Sequence, residues 1–349
     1  MSPRGSAAEL LAVDLFSGCG GLTEGLKLAG FKVVAAVECE PGALEAYKTN
    51  HADVPHVYER DIRKLEGPTI LKDLELEQGE LDLLAGCPPC QGFSRMRTLN
   101  SGEPVKDRRN GLIRQYLRLV RELLPRALMF ENVPDLINNH RYKTLLREIR
   151  KLGYHDTDAI HDAADFGVPQ RRRRLILLAA QSGPVAMPKP LPAEQRRTVR
   201  ETIAQLPEPG KSGDTAHDVH ARRQPEIAEM IRRIPQDGGS RGDLGDEYTL
   251  ECHKNFDGFY DVYGRMKWDA VSPTITSGFV NPSKGRFLHP EQNRSVTPRE
   301  GALLQTFPKS YKFPMKRGKY PVAAMIGNAF PPELARQHAE AIAEILVQR

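Results

Sequence analysis

The chain has 349 residues, of which 40% are hydrophobic and 27% charged, a balance that supports a large core and excludes disordered, collagenous and coiled-coil chains. Fifty Lys and Arg against 45 Asp and Glu leave a formal charge of +5, which permits a polyanionic partner without requiring one. Five scattered cysteines, Cys19, Cys39, Cys87, Cys90 and Cys252, argue against a secreted disulfide framework, and no apolar run reaches the roughly 18 residues of a membrane span. The expectation is a soluble protein of a reducing compartment, with no signal region ahead of residue 10.

In chain order, residues 10–16 read as a strand, 17–21 as a glycine loop, 22–29 as a short helix and 32–37 as a second strand ending at Glu38. Further strands are expected around 57–58, 81–86, 127–130 and 175–179. Helices are expected over 111–124, with apolar residues at helical spacing, and over 142–152. Short apolar runs alternating with helical segments predict an α/β fold with a parallel sheet and crossover helices. From about residue 183, six prolines between 184 and 209 break this pattern. Residues 184–320 are therefore expected to form a smaller, loop-rich, partly β domain, with one short helix at 226–234. Residues 321–349 regain helical spacing over 333–347 and are expected to return to a first domain made of residues 1–183.

Gly18, Gly20 and Gly21 lie between a strand and a helix, where a ligand could approach the backbone and the helix N-terminus. Alone they mark only a tight turn. Glu38, twenty residues after Gly18 and at the end of the second strand, strengthens a nucleotide-type reading, because an acidic group there accepts bonds from ribose hydroxyls. Asp61, after the third strand, could receive an adenine amino group. Cys87 and Cys90 follow the fourth strand at C-x-x-C spacing. No second such pair completes four zinc ligands, so no metal is expected, and what remains is a nucleophilic thiolate or a buried small side chain. Glu131 would emerge from the next strand on the same edge as Cys90. In 170–174, alternation sends Gln170, Arg172 and Arg174 to one face and Arg171 and Arg173 to the other.

The ordered set is more telling than its parts. Asp14-Leu15-Phe16-Ser17-Gly18-Cys19-Gly20-Gly21 is followed by Pro88-Pro89-Cys90-Gln91-Gly92-Phe93-Ser94, Glu131-Asn132-Val133 and Gln170-x-Arg172-x-Arg174. Thr297-Pro298-Arg299-Glu300, Leu304-Gln305-x-Phe307-Pro308 and Gly327-Asn328-Ala329 complete it. Over roughly residues 10–340 the chain closely resembles the DNA cytosine-5 methyltransferases of bacterial restriction-modification systems.

The resemblance implies a Rossmann-like S-adenosylmethionine-dependent methyltransferase sheet with a second, target-recognition domain. It also implies methyl transfer to C5 of a cytosine flipped out of double-stranded DNA. By resemblance Cys90 is the nucleophile that adds to C6, Glu131 serves ring N3, Arg172 holds the cytosine carbonyl and Arg174 supports the same pocket. Phe16 packs on adenine, Glu38 accepts the ribose, Asp61 and Ile62 contact adenine, and Asn328 lines the methionine end. Gly18, Gly20, Gly21 and Pro89 shape the same surroundings. The loop from Ser94, with Arg95 and Arg97, resembles the mobile loop that closes on DNA. Arg265 is a candidate for DNA contact in the recognition domain.

Ala329 replaces the serine common after Gly-Asn, and Cys87 stands where glycine is common, placing a second thiol that could form a disulfide with Cys90. The expected setting is a cytoplasmic, nucleoid-associated, prokaryotic monomer, compact and without an extension before the first motif. Its cognate restriction endonuclease would act in the same system without a stable complex. A tRNA cytosine-5 methyltransferase shares nearly all the motifs; Gln91-Gly92-Phe93-Ser94 and Thr274-Ile275-Thr276 favour DNA. A silent DNA-binding homologue is opposed by the intact Cys90, Glu131 and Arg172.

The charge distribution agrees with a phosphate partner. Residues 95–114 carry six basic and two acidic side chains, and residues 309–319 carry five basic and no acidic ones. Residues 186–290 balance at fifteen of each.

Overall fold

A computed structural model describes residues 9–89, 111–219, 223–245, 248 and 261–348. The apolar runs form β1 (Leu10–Leu15), β2 (Phe31–Glu38), β3 (His56–Glu59), β4 (Leu83–Gly86), β5 (Ala127–Asn132) and β7 (Arg173–Ala180), joined by β6 (His155–Asp162) in a seven-stranded sheet. Its order is β3-β2-β1-β4-β5-β7-β6. β1 to β5 are parallel. Near-continuous hydrophobic strands such as Leu83-Leu84-Ala85 are buried on both faces, as a parallel sheet covered by crossover helices requires.

The expected parallel sheet ends in an antiparallel edge, where β7 runs antiparallel to both β5 and β6. β6 escapes the sequence pattern because His155-Asp156-Thr157-Asp158-Ala159-Ile160-His161-Asp162 has no apolar run; it is an edge strand, exposed at His155 and half-buried from Asp156 to Asp162.

The first helices are α1 (Gly21–Leu28), α2 (Pro41–Asn50), α3 (Gly67–Asp73), α4 (Leu112–Leu123) and α5 (His140–Lys151). The apolar spacing of α4 buries Leu112, Ile113, Tyr116, Leu117, Leu119, Val120 and Leu123 against the sheet. The Tyr116 hydroxyl, also buried, donates towards the carbonyls of Leu84 and Met129 at 3.2 and 3.1 Å, so the ring packs without stranding its polar end.

The described residues divide into two compact units, one within Met1–Asp162, Arg173–Pro190 and Phe330–Arg349, the other within Ala163–Arg172 and Leu191–Ala329. In the second unit lie α6 (Val199–Ile203), α7 (Pro225–Arg233), α8 (Pro298–Leu304) and α9 (Lys319–Asn328); α10 (Pro332–Val347) belongs to the first. Where β structure is expected, the described part of the second unit has isolated bridges and no extended strand. Its backbone is tied instead by turns and by buried guanidinium groups.

Motif residues build these ties. Thr297 caps α8, its side chain accepting from Glu300 N while the Glu300 carboxylate accepts from Thr297 N, with Pro298 in the first turn. Gly327 lets α9 approach another segment, since a Cβ there would lie 2.3 Å from the Thr276 backbone.

In the first unit α10 packs on α1 through Gly25, where a Cβ would sit 2.4 Å from Ala335 Cβ and 2.5 Å from the Pro332 carbonyl. Gly25→Ala is expected to lower stability by about 1–3 kcal/mol through overpacking, although alanine favours helix. Urea unfolding of the purified variant would check this; an unchanged or raised midpoint would contradict it.

Candidate active site

β1 ends in a turn that few sequences tolerate. Phe16, Gly18 and Gly20 all have positive φ, at 61°, 56° and 97°. A left-handed phenylalanine carries steric strain that the surroundings must over-determine. Glu38 does much of this work. Its Oε2 accepts from Gly18 N at 2.9 Å, and its Oε1 accepts from Cys39 N at 2.7 Å and Glu40 N at 2.8 Å. One carboxylate thereby joins the loops after β1 and β2.

Behind this turn lies Asp14, fully buried. Its Oδ2 accepts from the Thr23 hydroxyl at 2.6 Å, and that hydroxyl lies 2.9 Å from the Tyr47 hydroxyl. Asp14 Oδ1 and Ser17 Oγ, both buried, have no hydrogen-bond partner among the described residues. Burial pushes the Asp14 carboxyl up to about 7, against the opposing pull of Thr23. His51, hydrogen-bonded to the Gly20 backbone, is driven by burial and by Lys27 down to about 4, so it is neutral near pH 7.

The loop after β4 is held by the end of β5. Asn132 Nδ2 donates to the Pro88 carbonyl at 2.9 Å, while its Oδ1 accepts from Val133 N. Glu131, only 8% exposed, pairs through Oε1 with Arg174 Nε at 2.8 Å. This contact follows from the antiparallel β7, whose register sets Glu131 opposite Ile176 and brings the start of β7 to the carboxyl ends of the parallel strands. Burial, then the neighbouring Glu131 and Asp14 charges, push the Cys87 thiol well up, so Cys87 stays a thiol near neutrality.

Among the sequence-derived candidates, Phe16, Gly18, Gly20, Gly21, Glu38, Pro89, Glu131 and Arg174 all follow or flank the carboxyl ends of parallel strands in one unit. Asp61 caps the short turn Ile62–Lys64, accepting from Arg63 N and pairing with the Arg63 guanidinium at 2.8 Å. Ile62 is 4% exposed and packs in the core, and its carbonyl accepts from Arg118. Cys90, Ser94, Arg95 and Arg97 lie outside the described residues.

The second unit contains Arg172, Arg265 and Asn328. The alternation at 170–174 is as expected: Arg171 and Arg173 are exposed and Gln170 and Arg172 are buried. Yet Arg172 spends its guanidinium on the carbonyls of Ile275, Gly327 and Ala329, and the arginine beside Glu131 is Arg174. The tie to residue 329 runs through its carbonyl, so it does not depend on the side chain that alanine replaces.

Asn328 lies exposed at the end of α9. The expectation of DNA contact by Arg265 is corrected. It is 1% exposed, and all five N–H donors are taken, by the carbonyls of Ile231, Ile234, His289 and Gln292 and by Asn293 Oδ1.

The C-5 cytosine-specific DNA methylase family model matches residues 10–344. The chain belongs to this family. It is a DNA cytosine-5 methyltransferase. The type II methylase M.HgiDII of Herpetosiphon aurantiacus is 37% identical, with 96% of this chain and 95% of that protein covered. The type II methyltransferase M1.HphI of Haemophilus parahaemolyticus is 31% identical over 95% and 86%.

Among solved structures, a protein assigned as a DNA modification methyltransferase encoded within an E. coli prophage superposes with a TM-score of 0.70 at 25% identity, covering 97% of this chain and 99% of that one. The S. pombe Dnmt2 methyltransferase shares the fold, with a TM-score of 0.62 at 20% identity over 97% and 99%.

In this methyltransferase, sequence reasoning passed over three residues that set the geometry. Asn132 lies in the Glu131-Asn132-Val133 motif with no role that its residue type betrays, and Asp14 and Thr23 form a buried pair that only the packing of α1 on β1 reveals. Asp14 also makes stability depend on pH. Its folded pKa, about 7, lies above the roughly 3.9 of an unfolded Asp, so the stability contributed by its bound proton is complete below about pH 4 and lost as pH rises to about 7. Asp14→Asn cannot ionise and removes this loss. Denaturation at about pH 5 and about pH 7.5 should show the variant gaining on wild type at the higher pH; parallel changes would contradict this.

Arg265→Met should lower stability by roughly 3 kcal/mol or more by leaving several buried carbonyls unpaired. The folded fraction should retain the wild-type target sequence, read by sequencing methylated DNA. A change of target would restore Arg265 as a base reader.

Proposed function

We propose that the enzyme methylates one cytosine within a specific duplex sequence, as the modification partner of a type II restriction system and with S-adenosylmethionine as methyl donor. The observation that carries the chemistry is the Glu131–Arg174 pair at the carboxyl edge of the sheet, joined by Asn132 to the Pro88-Pro89 segment that leads into Cys90. The full-length relation to type II methylases supports the biological setting.

The first unit fits the methyl donor. Two buried polar atoms at the glycine turn, Asp14 Oδ1 and Ser17 Oγ, lack partners among the described residues. Three left-handed residues shape its backbone. Phe16 would pack on the adenine, Gly18, Gly20 and Gly21 would admit the ligand close to the backbone, and Asp61, Ile62 and Pro89 would border it. Glu38 already accepts three N–H groups of the roughly four a carboxylate can take, so it has capacity for about one ribose hydroxyl. When bound, the donor supplies an electrophilic methyl group for C5.

The protein's own groups supply the activation. The Cys90 thiolate adds to C6 of the flipped cytosine, which makes C5 electron-rich. Glu131 would bond ring N3, and Arg174, rather than Arg172, would meet the cytosine carbonyl and oppose the charge that develops on the ring. After methylation, loss of the C5 proton to a base restores the 5,6 double bond and expels the Cys90 sulfur. Ser94, Arg95 and Arg97 would run along the DNA backbone.

Incubation with labelled S-adenosylmethionine and either duplex DNA or tRNA tests the substrate. Label in DNA at one sequence context is expected, and label in tRNA alone would overturn the reading. Cys90→Ser should abolish both methylation and covalent trapping on DNA containing 5-fluorocytosine, whose fluorine cannot leave as the proton does. Arg174→Lys should lower kcat by about 10²–10³ with little change in unfolding midpoint, whereas Arg172→Lys should act mainly on stability. The reverse pattern would return the cytosine contact to Arg172.

A further inference from the structure

The second unit contains a cavity of about 320 Å³ whose lining includes Arg223, Lys319, Arg294, Ser295, Glu208 and Thr297. The charges around it are unequally neutralised. Arg294 is bound at 2.7 Å through each of two nitrogens to the buried Glu300 carboxylate. Glu208 pairs with Lys211 at 2.9 Å. Arg223 has a different kind of partner, the Ser295 hydroxyl, to which it donates at 2.9 Å. The Lys319 ammonium lies 5.4 Å from the centre of the Tyr320 ring.

Among the described residues, neither of these cations has a carboxylate within ion-pair distance. Both are half-buried, and each finds another cation among its neighbours, Arg294 for Arg223 and Arg223 for Lys319. Holding two like charges together in a partly desolvated recess costs free energy that an anion in the recess would offset. Lys319 is also the first residue of α9, whose N-terminal dipole adds positive potential. It closes a stretch, 309–319, with five basic and no acidic residues, and Tyr320 beside it is 55% exposed.

We propose that this cavity is a phosphodiester site for the DNA backbone, with Arg223 and Lys319 as its two charged donors and Ser295 orienting Arg223. It deepens the proposed reading, since it rests on duplex DNA being the substrate. A phosphate contact of this kind sets the register of the enzyme on the duplex and carries no base sequence. It would give the second unit a DNA contact of the type that Arg265, caged by carbonyls, does not provide.

The test compares wild type with the full-length double variant Arg223→Gln/Lys319→Gln, binding duplex DNA across a salt series. Neutralising one phosphate contributes about 0.9 to the slope of log affinity against log salt. The variant is expected to lose about one unit of slope and to raise KM for DNA several-fold. Its kcat at saturating DNA and its methylated sequence should match wild type. Arg223→Lys/Lys319→Arg, which keeps both charges, should retain the wild-type slope, and Lys319→Gln alone should lose part of it if the double variant melts early.

An unchanged slope in a folded variant overturns the proposal. Saturable binding of inorganic phosphate that is lost in the variant, with an unchanged DNA slope, would identify a small-anion site instead and also overturn it. Failure of wild type to methylate duplex DNA would be seen before any variant is made, and would strike the substrate reading itself.

Discussion

The candidate site depends on one reversal of strand direction. Five parallel strands deliver their following loops to a single edge, so Phe16, Glu38, Cys87 and Glu131 all arrive there as consequences of parallel pairing. A sixth parallel strand beside β5 would have presented its carboxyl end at that edge too. The antiparallel β7 presents its beginning instead, and with it Arg174, within ion-pair distance of Glu131. A buried carboxylate is far more costly unpaired than paired, so the direction of β7 and the presence of Glu131 support each other.

A second theme is the use of polar side chains to complete an irregular backbone. Three amide groups converge on Glu38, Pro88 is held by Asn132, and Arg172 and Arg265 between them take seven carbonyls of the second unit. Regular strands would satisfy such groups through ladders; a loop-rich unit must satisfy them otherwise, because an unpaired buried carbonyl is destabilising. The guanidinium group suits this role, since its five donors fan out in one plane and it stays charged even when burial lowers its pKa, as it does for Arg265. Buried arginines in this chain are thus poor indicators of DNA contact.

Several motif residues turn out to serve the fold directly. Thr297-Pro298-Arg299-Glu300 is a capping box enclosing an arginine that holds Asp214 and the Tyr311 carbonyl, and Gly327 is a close approach of α9 to Thr276. These positions identify the family from sequence although their physical task is packing. Strands β1, β2, β4 and β5 were legible as short, near-continuous apolar runs bounded by turn residues, and helices α1, α4, α5, α7 and α10 because their apolar residues recur at helical spacing. The polar edge strand β6 was not, because it lacks an apolar run; nor were α6 and α8, where capping boxes start helices of five and seven residues, or α9, whose largely apolar residues show no one-sided spacing.

The sequence alone determined the family, the parallel α/β core and the residue types assembled for the chemistry. Hydrophobic period and motif order are local properties of the chain, and they survive without knowledge of its path. Tertiary structure decided which arginine stands beside Glu131, that Arg265 faces carbonyls rather than solvent, and that burial raises the Asp14 carboxyl to about 7. Those outcomes depend on strand direction, burial and the distance between groups far apart in sequence. Local periodicity and residue order do not encode these quantities.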